Sequence, residues 1–499
     1  MRLGAILVVA FAALCFGAGR AEAWGEVVDS TEIQGSYSTF GYAVAFLPDI
    51  DGDGKPELVA SSPDNDTGIV YIIFLHTNND TVRMRTEISN TTGGLTEAGI
   101  YLQTIDYFGQ GLTVISDMDG DGINEVVAGI DNANGGKGGC VVLFLDAYDG
   151  TVRKATRIDS SSGGLTEAGV TLSTERFGIA VGNIGDIDGD GYDEVMSGGG
   201  SPSNANVYVL FLHPENATVR AVTTINASSY GLSSLVGADS FASNANTIAA
   251  IGDLDGDGIQ EIAVGAYADD DNATDAGAVY ILFLNEGNAT VRNVTKITRS
   301  SPGIKDTAAG IVTSNGLGQS LTALPDLDGD GVQEVAAGTT SEQVIILFLN
   351  NVTGTVRDAY LIDGDSAPSL SLSPNDRFGE GLAAFPGTNK FAAGLYGRDV
   401  GGTNRGAILI IELNSTAPTT TWVPYMPVTT GTTGTTGTTG TTGTTGTGGP
   451  VSGGDYRPGD DDTITGVSVG AFVFLSLAVT AAIVYFSRRA DGGGRDWRV

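Results

Sequence analysis

Between residues 24 and 413 short apolar runs alternate with turns of Gly, Asp and Asn. A run of about five residues (ELVAS at 57, EVVAG at 125, EVMSG at 194, EIAVG at 261, EVAAG at 334) leads to a longer one. The longer runs are VYIIFL at 70, VVLFL at 141, VYVLFL at 207, VYILFL at 279 and VIILFL at 344. A turn and Thr-Val-Arg follow, at 81–83, 151–153, 218–220, 290–292 and 355–357. Phe-Gly stands ahead of three of these sets (Phe40-Gly41, Phe108-Gly109, Phe177-Gly178), and Leu317-Gly318 ahead of the fifth. The fourth has drifted, its nearest aromatic being Phe241. No sustained 3.6-residue period is present, so each unit reads as four short β strands.

Six units are counted. The sixth starts at Phe378-Gly379, continues with FAAGLY at 391 and AILIIEL at 407, and stops after three strands near Leu413. The segment EVVDSTEI at 26–33 resembles the fourth strand of the first unit, RMRTEI at 83–88. An N-terminal strand would therefore complete the last unit and close a ring. The expected fold class is all-β: a β-propeller of four-stranded antiparallel blades. Six blades are counted, with seven as one alternative and an open solenoid of the same units as another.

In five units an acidic loop precedes the five-residue run. The copies are DIDGDGKPE at 49, DMDGDGINE at 117, DIDGDGYDE at 186, DLDGDGIQE at 253 and DLDGDGVQE at 326. Carboxylates at positions 1, 3 and 5 converge when the chain curls, Gly at position 6 permits the bend, and the carbonyl at 7 and the Glu at 9 complete an all-oxygen set. The candidate metal residues are Asp49, Asp51, Asp53, Lys55 and Glu57; Asp117, Asp119, Asp121, Ile123 and Glu125; Asp186, Asp188, Asp190, Tyr192 and Glu194; Asp253, Asp255, Asp257, Ile259 and Glu261; and Asp326, Asp328, Asp330, Val332 and Glu334. Hard oxygen donors without thiolate or imidazole suit Ca²⁺, at about five sites, with Mg²⁺ as the weaker alternative. A helix-flanked calcium loop would carry its bidentate Glu at position 12, where this chain has Ala60 and Ala128, so the loop belongs to a β-hairpin. In the sixth unit GTNK takes the place of the carboxylates, and that blade should form without metal.

The ends are of a different character. Residues 1–23 read as a secretory leader, with Arg2, an apolar core and Ala21-Glu22-Ala23. Residues 415–463 form a Thr/Gly-rich stalk, 464–486 an uncharged stretch long enough to span a bilayer as one helix, and 487–499 a short Arg-rich tail. The propeller ectodomain is thus 24–414, and the expected location is the plasma membrane, single-pass type I, ectodomain outside. Ten Asn-x-Ser/Thr sequons (Asn65, Asn79, Asn90, Asn216, Asn226, Asn272, Asn288, Asn293, Asn351 and Asn414) suit a glycoprotein. With 59 acidic against 25 basic residues, a nucleic-acid partner is excluded. Cys140 is alone once the leader with Cys15 is removed, so no internal disulfide forms.

Phe-Gly followed by DxDxDGxx(D/E) and an apolar strand resembles the FG-GAP repeat of integrin α-subunit propellers, over residues 24–413. The resemblance implies structural Ca²⁺ on one propeller face, while other loops contact ligand or a partner subunit. This chain departs from the family in its six units, its lack of disulfides, and a stalk in place of leg domains. The expectation is a calcium-stabilised receptor or adhesion protein that binds an extracellular protein or glycan ligand, with a lectin-like or structural coat protein as the alternative. No enzyme is expected. The only histidines are His76 and His213, and no catalytic motif accompanies them.

Overall fold

Among the described residues, twenty-four strands sort into six antiparallel sheets of four, each sheet one blade. The computed structural model describes residues 25–415 except 65, 202–203, 234–238, 272, 305–315 and 400–404. The leader, the stalk, the span 464–486 and the tail lie outside the described residues, among which no helix is long and apolar enough to cross a membrane.

Blade one shows the plan. Its strands are Val44–Leu47, Glu57–Ser62, Ile69–Leu75 and Val82–Ile88, paired in chain order from the ring axis outward. The inner strands of successive blades touch in sequence order. The inner strand of blade six, Phe378–Ala384, touches that of blade one, so the ring is closed. Blade six continues with Lys390–Leu395 and Ala407–Leu413, and its outer strand is Val27–Gln34 from the N-terminus. Ile33 pairs with Ile408 and Val27 with Leu413. This is the closure expected from 26–33, and it pairs what would otherwise be an exposed edge.

The apolar runs are buried on both faces because every blade packs between two others. In Ile69–Leu75 successive side chains alternate. Val70, Ile72 and Phe74 join the core shared with blade two, while Tyr71, Ile73 and Leu75 join the core shared with blade six. Six such cores fill the six seams. The outer strands are only half-buried, and there Thr, Arg and Lys appear. At five seams a threonine hydroxyl on an outer strand donates to a hairpin carbonyl of the next blade: Thr86 to Asp149, Thr156 to Asn216, Thr223 to Asn288, Thr295 to Thr353 and Thr31 to Asn79.

Phe-Gly enters each inner strand from the opposite end of the ring. Gly178 shows why no side chain fits: a Cβ there would lie 2.0 Å from the carbonyl oxygen of Gly139 in blade two, and its φ is +90°. The fourth unit keeps this element after all. Phe241 is buried, its ring centroid 5.6 Å from Tyr280, as Phe40 is 5.3 Å from Tyr71. Ala242 stands in for the glycine with φ +52°, and its N–H donates to Gly265 O at 2.8 Å, matching Gly109 to Gly129 at 2.9 Å. The apparent drift is an insertion after an intact motif.

That insertion crosses the axis from blade four to blade one. Asn246 donates to Val44 O at 3.0 Å and accepts from Val44 N–H at 3.4 Å. Asn244 accepts from the Tyr42 hydroxyl at 2.9 Å and donates to Glu380 at 2.9 Å. Gln319 donates to the other Glu380 oxygen at 2.5 Å. Burial raises the Glu380 carboxyl above its ordinary range.

Candidate metal loops

All five acidic loops lie at one end of the ring, in the hairpin between the first and second strands of blades one to five. Their shape comes from backbone hydrogen bonds to the position-1 aspartate. One oxygen of Asp186 accepts from Gly189 N–H at 2.7 Å and Asp190 N–H at 3.1 Å; the other accepts from Gly191 N–H at 2.8 Å. Asp49, Asp117, Asp253 and Asp326 do the same in their own loops. The position-5 aspartates Asp53, Asp121, Asp190, Asp257 and Asp330 accept from the N–H of position 7, that is Lys55, Ile123, Tyr192, Ile259 and Val332. Glycines at positions 4 and 6 both take the left-handed region; in the first loop Gly52 has φ +82° and Gly54 +86°.

The position-9 glutamates are buried and either begin the second strand (Glu57, Glu125) or stand immediately before it (Glu194, Glu261, Glu334). Glu57, Glu125, Glu194, Glu261 and Glu334 each accept from the N–H of position 2, at 3.0, 2.7, 2.9, 2.6 and 2.6 Å. Position 2 is itself a buried apolar anchor (Ile50, Met118, Ile187, Leu254, Leu327) that ties the loop to the core. Burial, helped by the neighbouring aspartates, pushes Glu57, Glu125 and Glu194 up to about 8, Glu261 to about 7 and Glu334 to about 9.

These contacts bring carboxylate oxygens together. Asp117, Asp119, Asp121 and Glu125, and likewise Asp326, Asp328, Asp330 and Glu334, each place one oxygen within 4.8 Å of the others. The converging sets elsewhere are Asp49, Asp51 and Asp53; Asp186, Asp188 and Glu194; and Asp253, Asp255 and Glu261. The residues fit a hard divalent cation for a second reason. Glu125 Oε1, Glu334 Oε1, Asp188 Oδ1 and Asp255 Oδ1 are buried and accept no hydrogen bond. A buried carboxylate oxygen without a partner is costly, and a cation would satisfy it.

One participant escapes inspection of the acidic motif. The arginine of each Thr-Val-Arg segment lies among the carboxylates of its own blade. Arg220 is 2.6 Å from both Asp188 and Asp190 and 3.6 Å from Glu194. Arg292 is 2.7 Å from Asp255, 2.6 Å from Asp257 and 3.3 Å from Glu261. Arg83, Arg153 and Arg357 pair with Asp51 and Asp53, Asp119 and Asp121, and Asp328 and Asp330. Arg153 and Arg292 hold Asp119 and Asp255 below the usual carboxylate range. The signal was present in the sequence, since a Thr-Val-Arg follows every acidic loop, its arginine 31–39 residues after the loop's first aspartate.

His76 and His213 are exposed hairpin residues, as their setting suggested. Cys140 is buried, and its thiol is pushed up to about 12 by burial. The sequon residues Asn79, Asn216 and Asn288 are exposed, and each accepts from the N–H and hydroxyl of the threonine two residues on; Asp149 does the same with Thr151.

Comparison with known proteins agrees with this geometry. The FG-GAP repeat model matches residues 40–73 and 245–282, in blades one and four. Integrin alpha pat-2 of Caenorhabditis elegans is 26% identical over 252 residues, covering 49% of this chain and 19% of that protein. Integrin alpha-4 of Xenopus laevis is 30% identical over 206 residues, covering 40% and 17%, and integrin alpha-PS3 of Drosophila melanogaster 26% over 192 residues, covering 36% and 15%. The matches therefore span less than a fifth of those relatives' length. Among solved structures, the exotype rhamnogalacturonan lyase YesX aligns with TM-score 0.33 at 13% identity, over 79% of this chain and 74% of that one. The closed ring and its repeated motif define an FG-GAP β-propeller. Its likeness is to the propellers of integrin α subunits.

Proposed function

We propose that the chain is a cell-surface receptor or adhesion protein whose propeller is braced by Ca²⁺ in five loops and presents the opposite face to an extracellular ligand. The observation that carries this reading is a division of labour between the two ends of the ring. The hairpin end repeats one acidic design five times, which supports a shape-holding role for it. The connections that lead into Phe-Gly are less uniform: those into blades two and three share GGLTEAG at 93–99 and 163–169, those into the other blades do not, and Tyr101 and Tyr230 stand exposed on two of the connections. Similarity to integrin α subunits supports the same assignment.

In this reading residues 1–23 direct secretion, 415–463 lift the ring from the membrane, and 464–486 anchor it, with the ectodomain outside. The loop carboxylates would hold the ion, which supplies positive charge to an otherwise repelling cluster. The position-1 aspartates shape the turn, and the glutamates join the loop to the second strand. Affinity in the 10⁻⁴–10⁻³ M range of extracellular calcium modules would keep the sites loaded outside cells. The test is capture of cell-surface proteins by the full-length chain, with and without calcium, beside a glycan array. Calcium-dependent capture of a defined protein supports the receptor reading. Broad sugar binding with no protein ligand favours the lectin-like alternative and overturns it.

A further inference from the structure

The arginine in each loop has a geometry of its own. In every blade the third and outer strands slip register by one residue beside the hairpin, between Phe74 and Leu75, Phe144 and Leu145, Phe211 and Leu212, Phe283 and Leu284, and Phe348 and Leu349. Such a bulge re-aims a side chain and leaves a ladder carbonyl free. The leucine carbonyl of the bulge then accepts from the arginine Nε: Leu145 from Arg153 at 3.1 Å, Leu212 from Arg220 at 3.0 Å, Leu284 from Arg292 at 2.8 Å and Leu349 from Arg357 at 3.2 Å. The guanidinium lies 5.5–5.7 Å from the ring centroid of the bulge phenylalanine in all five blades. In blades two to five it is thus held at its stem and face, and in blade one at its face, before it reaches any carboxylate, and its fork is aimed at positions 3 and 5.

Blade six supplies the internal control. Val27 pairs with Leu413 as Val82 pairs with Leu75, and the register slip is kept, so Val28 occupies the arginine's place. The acidic loop is absent from the same blade. Arginine and carboxylates are therefore present together five times and absent together once. A structural outer-strand arginine would have no reason to follow the loop in this way.

The oxygens are divided between two positive partners. Arg220 and Arg292 grip Oδ2 of Asp188 and Asp255, while Oδ1 of each is buried without a hydrogen bond. In blades three and four the guanidinium and a cation therefore use different oxygens and fit together, whereas Arg153 of blade two reaches both oxygens of Asp119. We infer that Arg83, Arg153, Arg220, Arg292 and Arg357 are built-in counter-cations: each holds its loop in shape when no metal is bound and, by its charge, weakens the calcium affinity of that loop. The first half stands on the ion pairs alone. The second rests on the calcium reading above.

Two variants of the full-length chain test this. Arg220→Gln removes one counter-cation, and melting is followed in chelator. The expected result is a midpoint lower by about 1–3 °C, with Arg220→Lys, which keeps charge but not the fork, falling between. The second variant changes all five arginines to Gln and is folded in calcium. Its half-maximal stabilisation by Ca²⁺ is expected at a roughly tenfold lower concentration than the wild type needs, because a unit charge beside each ion is gone. Arg220→Gln melting with the wild type in chelator would overturn the counter-cation role. An unchanged or higher calcium requirement in the fivefold variant would overturn the affinity half. If neither wild type nor variant responds to calcium while Arg220→Gln melts early in chelator, the calcium reading falls and the counter-cation stands.

Discussion

In blade three the first hairpin runs from Val181–Asn183 to Val195–Ser201 through a nine-residue acidic loop, with Arg220 folded over it. In blade six the same hairpin is a tight turn. Phe385 N–H donates to Lys390 O at 2.9 Å, and the Thr388 hydroxyl donates to Phe385 O at 3.0 Å. By register Phe391 pairs with Ala384 as Leu58 pairs with Phe46, so Lys390 stands where the buried glutamate stands elsewhere. Its ammonium pairs with Asp80 of blade one at 2.9 Å and with Glu412 at 3.2 Å. Asp80 also pairs with Lys55. The same position thus carries an acid in five blades and a base in one. The difference teaches that the sheet does not require the acidic loop. Each blade needs only some way to close its hairpin without an unpaired buried charge.

The largest test of this contrast is removal of divalent metal. If all five acidic hairpins lean on a cation and the sixth does not, chelation should cost about 2–7 kcal/mol at millimolar calcium, seen as a calcium-dependent melting midpoint. An unchanged melting curve would mean the arginines and backbone bonds suffice. Next comes the seam entrance, where Gly178 and Ala242 hold one role with different residues. Gly178→Ala should destabilise by about 2–4 kcal/mol, since its Cβ meets the Gly139 carbonyl. Asp80→Asn breaks the closing seam of blade six and leaves Lys390 and Lys55 without their shared partner. It should cost about 1–3 kcal/mol in urea unfolding.

A smaller effect lies in acid. Asp159, at the end of the outer strand Val152–Asp159 of blade two, is held down at about 2 although burial opposes ionisation, because Arg157 and Ser161 donate to it. Its folded value lies below the unfolded one near 3.9. The stabilisation is therefore complete above about pH 4 and lost as pH falls toward 2, worth about 1–2 kcal/mol. Asp159→Asn should flatten that part of the acid melting profile. The smallest change is Ala242→Gly, expected to stabilise by about 0.5–1 kcal/mol by relieving a left-handed alanine.

Much of the architecture was legible because its signals are local and repeated. Apolar runs of five to seven residues bounded by turn formers specify strands, and their recurrence specifies blades. The residual similarity of 26–33 to an outer strand was enough to foresee ring closure, which Ile33 and Ile408 now make. The acidic loops were legible for the same reason, down to the glutamate at position 9. What local reading missed was the entry motif of the fourth unit, where a three-residue insertion after Phe241-Ala242 disguised an intact element. It also missed the arginine, whose guanidinium joins carboxylates 30–32 residues earlier in the chain at Asp188 and Asp190.

The sequence by itself determined the strand content, the six units, the place of the five acidic loops and the one blade without them, because period-2 burial and turn chemistry act between near neighbours. Only the tertiary structure decided which charges meet. Arg220 faces Asp188 through a bulged hairpin, Lys390 faces Asp80 across 310 residues, and Asn246 faces Val44 across the axis. Such pairings depend on how blades close into a ring, and electrostatic energy depends on distance and burial that no linear spacing contains.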